Sequence, residues 1–156
     1  MQRLRVNGAT SLDPVDRQLL RRLAASGRVS MADLGRAVRM SRPSVAERLR
    51  RLEDRGVVRR FTVDVDPKQL GFAFGAYIRV RPETGQLKKV TALLAEIPEI
   101  VECDRITGDD CFMAKAVVRS IADLEQVIDR LAPYASTNTS IIQSSPVPRR
   151  LPPLES

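Results

Sequence analysis

The hydrophobic repeat of this chain changes once, at Gly56, and that change limits what the chain can fold into. Before it, apolar residues recur at helical spacing; after it they alternate with period two. Leu12-Asp13-Pro14-Val15-Asp16 reads as a helix start. Asp13 is the N-cap, Pro14 takes the first turn where no N–H is needed, and Asp16 suits the positive helix end. Leu19, Leu20, Leu23 and Ala24 form the inward stripe, which stops at Gly27. Ser30 to Asp33 predicts a capping box for a second helix that turns Leu34, Ala37 and Val38 inward. Ser41 caps a third helix with Val45, Leu49 and Leu52 on one face and Gly56 as its left-handed stop. Arg39-Met40 leaves room only for a tight turn between the second and third helices, which is the helix-turn-helix arrangement.

Beyond Gly56, Val58 to Val65 reads as an extended segment, the wing of a winged helix-turn-helix. Asp66-Pro67 and Gly71 punctuate a linker. Strands are expected over 73–81, 100–107, 111–119 and 137–144, and helices over 86–96 and from the Ser120–Asp123 capping box onward. The order βαββαβ predicts a ferredoxin-like sheet with both helices on one face, so the fold class is α+β. The bare sheet face is expected to be covered by another subunit. The expected organisation is a flexible basic arm at 1–11, a DNA-binding domain at 12–65, a linker at 66–72, a ferredoxin-like domain at 73–148, and a Pro-rich tail at 149–156 without a packing signal.

Charge follows the same division. Residues 1–65 hold 15 Arg, no Lys and 7 acids, a formal +8; residues 66–156 hold 11 bases and 12 acids, a formal −1. A GC-rich genome explains Arg over Lys, but not the scarcity of acids in the first half. The asymmetry points to a module that neutralises phosphates joined to one that does not. The absence of histidine removes Ser-His-Asp and Cys-His catalysis, His-containing zinc sites and axial haem histidines, so no enzymatic activity and no metal or cofactor is expected. With Cys103 and Cys111 alone there is no disulfide framework, and no apolar run approaches a membrane span; a cytoplasmic location with no membrane partner is expected.

Leu12 to Arg17, Ala24 to Arg28, Ser41 to Glu53, Gly56-Val57-Val58, Leu70-Gly71, Ile106-Thr107-Gly108 and Thr137 to Pro146 together resemble the Lrp/AsnC family of feast/famine regulators over roughly Leu12 to Pro148. The resemblance implies a transcriptional regulator, assembled as dimers and often octamers, that binds double-stranded operator DNA and responds to an amino acid or related metabolite. An architectural DNA-wrapping protein without an effector is the alternative. Relatives of the same two-domain shape that decarboxylate sirohaem use His as well as Arg, and this chain has no His.

A recognition helix needs one face packed and the other carrying donors. With Val45, Leu49 and Leu52 inward, the candidates for DNA contact are Arg42, Ser44, Glu47, Arg48, Arg50 and Arg51. Arg59 and Arg60 are candidates from the wing, and Arg3 and Arg5 from the arm. Each arginine is equally compatible with a solvated helix exterior, and Arg48 with a pair to Glu47 or Glu53. For the effector, the resemblance implies the turn Gly108, Asp109, Asp110 and Cys111, with Thr137, Thr139 and Ser140 as hydroxyl donors. Many relatives place an Asp where this chain has Cys111, and a neutral thiol does not replace a carboxylate as an ammonium acceptor. Asp109 or Asp110 takes that role, or the effector lacks an ammonium group, or there is no effector. A redox pair of Cys103 and Cys111, and a cation on Asp109-Asp110, are weaker readings of the same residues than small buried thiols and a solvated turn.

Overall fold

The structure is a computed structural model that describes residues 12–154. The expected basic arm with Arg3 and Arg5 lies outside these residues. Two compact units make up the chain: residues 1–64 with 148–156, and residues 65–147.

The first unit contains α1 (Pro14–Ala25), α2 (Met31–Val38) and α3 (Arg42–Asp54). Asp13, Ser30 and Ser41 are their N-caps, each accepting a backbone N–H three residues on. An eight-residue helix such as α2 is marginal alone. It is held by a shared core of Leu19, Leu20, Leu34, Val45, Leu49 and Leu52, each burial contributing roughly 1.5–3 kcal/mol. Two helices close with the same hydrogen-bond pattern, in which a left-handed residue follows the last turn. After α3 it is Gly56 (φ 69°), with the Val57 N–H donating to Leu52 O at 2.9 Å. After α2 it is Arg39 (φ 55°), with the Met40 N–H donating to Gly35 O at 2.9 Å.

That second closure makes Gly35 indispensable for a steric reason. A Cβ built on Gly35 would lie 2.6 Å from the Met40 carbonyl oxygen, which is backbone and cannot swing aside. Gly35→Ala is expected to destabilise the unit by about 1–3 kcal/mol. Gly27→Ala, where a Cβ meets nothing within 4 Å, serves as the control in thermal unfolding. Equal midpoints for the two variants would contradict the close approach.

The expected wing forms no strand among the described residues. Residues 59–66 carry no regular structure and are exposed, with Phe61, Val63 and Val65 all in solvent. The alternation there is real, but no second strand among the described residues of this unit supplies a hydrogen-bonding partner. The tail departs from expectation in the opposite sense: Leu154 packs against the helical core. Two leucines, Leu151 and Leu154, set among prolines carry no periodic signal, so the sequence could not reveal which of them is anchored.

The second unit contains β1 (Phe74–Pro82), α4 (Leu87–Glu96), β2 (Ile100–Arg105), β3 (Phe112–Val118), α5 (Ile121–Leu131) and β4 (Ala135–Ile141). The sheet order is β2-β3-β1-β4, antiparallel throughout, as the ferredoxin-like expectation requires. Ser120 and Asp123 form the reciprocal capping box of α5. Ala76, Ile78, Val80, Phe112, Ala114, Ala116 and Val118 are buried beneath Val90 and Leu94 of α4 and Leu124, Val127 and Leu131 of α5. The opposite face carries Tyr77, Arg79, Arg81, Met113, Lys115 and Val117, none fully buried. A short 3₁₀ turn (Pro67–Leu70) precedes β1. Arg119 fixes it, donating to Leu70 O at 3.3 Å and stacking 4.6 Å from the centre of the Phe72 ring.

Candidate functional site

Ser41 and Pro43 open α3 with an N-cap and a proline in the first turn, and Val45, Leu49 and Leu52 turn inward. Arg42, Arg50 and Arg51 are thereby exposed on the other side. Ser44 is half-buried, its hydroxyl 2.8 Å from that of Ser41. The turn before α3 adds cations that sequence reasoning missed. Arg36, Arg39 and Arg42 surround an open recess floored by Gly35 and Ser41. Nothing in the sequence signals this, because Arg39, unlike Gly or Asn, does not mark the αL position that it takes at a conformational cost of roughly 1–2 kcal/mol.

Glu47 organises the exposed face. Its Oε1 accepts from Arg50 Nη2 at 2.9 Å and Arg51 Nε at 3.1 Å, and its Oε2 accepts from Arg50 Nε at 3.0 Å. Arg50 Nη1 also donates to Asp54 at 2.9 Å. The Arg50 hydrogen bonds, and then those of Arg51, hold the Glu47 carboxyl below its usual range. Exposed pairs of this kind are worth only about 0.3–0.5 kcal/mol each. A phosphate or a base edge competes readily for these guanidinium groups, so the lattice orders them without locking them.

Arg48 belongs elsewhere, and the expectation that it contacts DNA is corrected. It turns back to α1, where Nη1 donates to Asp13 Oδ2 at 2.5 Å and to Asp16 Oδ1 at 2.8 Å. Among the described residues Asp16 is the one buried charged side chain, at 6% exposure. The Asp16 N–H first, and then Arg48, hold the Asp13 carboxyl below its ordinary value of 3.8. A depressed carboxyl adds stability that is complete above its unfolded value and is lost as pH falls through the folded one. Asp13→Asn is therefore expected to lower the unfolding midpoint at neutral pH, with the gap to wild type closing well below pH 3.8. A gap that persists in strong acid would assign the loss to something other than ionisation. Arg59 and Arg60 are exposed on the unpaired segment and have no partner among the described residues.

The proposed effector residues are only partly brought together. The Gly108 turn folds back on β1: the Cys111 N–H donates to Val80 O at 3.0 Å, and Arg81 Nε donates to Asp109 O at 2.9 Å. Arg81 Nη2 stands 3.5 Å from the Asp109 carboxylate, and Arg79 Nε 3.9 Å from that of Asp110. Both acids thus face arginines that the sequence reading did not include. The hydroxyls split between faces. Thr137 and Thr139 pair with Val80 and Ile78 and lie on the helix side, whereas Ser140 pairs with Tyr77 and lies on the open side. Thr139 Oγ1 is buried without a hydrogen-bond partner. The expectation of three convergent hydroxyls is corrected, because β4 alternates as any strand does.

Cys103 and Cys111 are both free thiols. Cys103 is exposed rather than buried, and desolvation with the nearby Asp104 carboxylate raises its pKa, which keeps it protonated. Among the described residues no three His, Cys, Asp or Glu side chains cluster as metal ligands, and no helix is long and apolar enough to cross a membrane.

The chain matches two family descriptions in succession: the AsnC-type helix-turn-helix domain over residues 12–53 and the Lrp/AsnC ligand binding domain over residues 75–152. It is 34% identical over 133 residues to the HTH-type transcriptional regulator LrpC of Bacillus subtilis, covering 85% of this chain and 92% of that one. The solved structure of Bacillus subtilis LrpC superposes with a TM-score of 0.84 at 32% identity, covering 90% of this chain and 100% of the other. A feast or famine regulatory protein from Mycobacterium tuberculosis, complexed with L-methionine, superposes with a TM-score of 0.83 at 30% identity over 90% of this chain and 98% of its own. A basic helix-turn-helix joined to a ferredoxin-like domain, with relatives matched along nearly their whole length, establishes that this chain belongs to the Lrp/AsnC family of transcriptional regulators.

Proposed function

We propose that the chain binds operator DNA with the exposed face of α3 and that an amino acid or related metabolite, bound at the Gly108–Cys111 turn, modulates that binding without catalysis. The observation that carries the reading is the partition of α3: a buried Val45-Leu49-Leu52 stripe, and opposite it Arg42, Glu47, Arg50 and Arg51. Arg42 and Ser44 enter the major groove first, Glu47 accepts from a cytosine amino group, and Arg50 and Arg51 take guanine edges or phosphates. Arg59 and Arg60, with Arg36 and Arg39 at the turn, contact the backbone.

The L-methionine in the mycobacterial relative supports an amino-acid effector. Here Arg79 and Arg81 are suited to a carboxylate and Asp109 or Asp110 to an ammonium group. The open sheet face, with Tyr77, Met113 and Val117, forms the contact between copies in a dimer or larger assembly, and the protein works in the cytoplasm.

A thermal-shift screen against the amino acids tests the sensing half. A ligand at 100 times its dissociation constant stabilises by about 2.7 kcal/mol. The expected result is such a shift for at least one amino acid, abolished in Asp109→Ala/Asp110→Ala. A shift that survives this double substitution would move the site away from the turn, and no shift with any amino acid would remove the amino-acid effector.

A further inference from the structure

The C-terminal tail is part of the DNA-binding unit rather than a trailing end of the sensing domain. Residues 148–156 group with residues 1–64, and Leu154 packs against the helical core. The ferredoxin-like unit is thus inserted between two parts of the helix-turn-helix unit, and the chain returns to that unit directly after β4. Between β4 and the Leu154 anchor lie Arg149 and Arg150, both exposed and neither with a partner among the described residues.

Regrouping the tail sharpens the charge asymmetry. The helix-turn-helix unit with its tail holds 17 bases and 8 acids, a formal +9, and residues 65–147 hold 9 bases and 11 acids, a formal −2. The tail adds two cations against one acid, Glu155, to a unit already rich in arginine, a net gain of one positive charge that slightly raises its self-repulsion. Such an arrangement is relieved when a polyanion binds. Pro148, Pro152 and Pro153 stiffen the segment, so less ordering entropy opposes contact than for a flexible arm.

We propose that residues 148–154 form a second basic arm, anchored by Leu154, whose Arg149 and Arg150 contact DNA phosphates beside the α3 footprint. The inference rests on the DNA-binding reading above. Phosphate contacts carry no sequence information, so the arm strengthens binding to every duplex alike.

Its test is the salt dependence of binding by the full chain, using a duplex from its own promoter region and a scrambled duplex of the same composition. Each lost phosphate contact reduces the slope of log K against log salt by about 0.9. Arg149→Ala/Arg150→Ala is expected to reduce it by about 1.8 per bound protomer, equally on both duplexes and with an unchanged thermal midpoint. Leu154→Asp keeps the arginines but frees the arm, so it is expected to weaken binding while largely retaining the slope. An unchanged slope in the double arginine variant, or a loss confined to the promoter duplex, overturns the arm and leaves α3 recognition intact. A wild-type chain that binds neither duplex overturns both.

Discussion

Arg48→Ala is expected to destabilise the helix-turn-helix unit by about 2–3 kcal/mol, although the residue lies on the recognition helix. Asp16 is buried and receives its charge-assisted hydrogen bond from Arg48, 2.8 Å away. Removing one partner of a buried pair costs about 3–5 kcal/mol because a carboxylate is left unsolvated. The loss is smaller here because Arg48 keeps 28% and Asp13 44% of its side-chain surface in water. The companion variant Asp16→Leu/Arg48→Met removes both charges and is expected to recover most of the loss, as apolar replacement of whole buried pairs usually does. Chemical denaturation of wild type, Asp16→Leu, Arg48→Met and the double variant measures the coupling directly. Additive losses would mean that the 2.8 Å contact contributes nothing. The slope of DNA affinity against salt is expected to stay at the wild-type value in Arg48→Ala, because the guanidinium faces α1.

Arg42→Ala/Arg51→Ala is expected to have the reverse profile. Both side chains are exposed, and Arg42 has no partner among the described residues. Arg51 has only its Glu47 pair on the surface. Thermal stability is therefore expected to change by less than about 0.5 kcal/mol. Affinity for the promoter duplex is expected to fall at least about a thousandfold. Each groove or phosphate contact contributes about 1–3 kcal/mol, and a dimer loses four of them. The salt slope falls with it, by about 0.9 for each contact made to a phosphate. Electrophoretic or anisotropy titrations at several salt concentrations check both quantities. A variant that binds as tightly as wild type would show that the exposed face of α3 is not the reading surface.

Much of this was legible in the sequence, for identifiable reasons. Asp13, Ser30, Ser41 and Ser120 announced four helix starts, because N-capping is a local interaction between near neighbours. The stripe Val45-Leu49-Leu52 fixed which side of α3 is wet, because helical period determines direction. Alternation in β1 and β3, and the βαββαβ order, implied the sheet that the structure contains. What stayed hidden was non-local. Arg48 finds its partners on α1, 32 and 35 residues earlier, and nothing in its own neighbourhood betrays this. Arg79 and Arg81 meet Asp109 and Asp110 only through the pairing of β1 with β3. The wing was expected from the alternation of Val58 to Val65, but a strand also needs a partner. Thr137 and Thr139 were grouped with Ser140 by proximity in sequence, whereas the pleat sends them to opposite faces.

The most direct test of groove reading by α3 is chemical interference with the promoter duplex. Guanine N7 lies in the major groove, and a methyl group placed there blocks an arginine that approaches the N7/O6 edge. The expected result is interference by N7-methylguanine at two clusters about one helical turn apart, one for each protomer of a dimer, with the clusters lost in Arg42→Ala/Arg51→Ala. Interference confined to adenine N3 in the minor groove, or wild-type binding indifferent to guanine methylation, would contradict it.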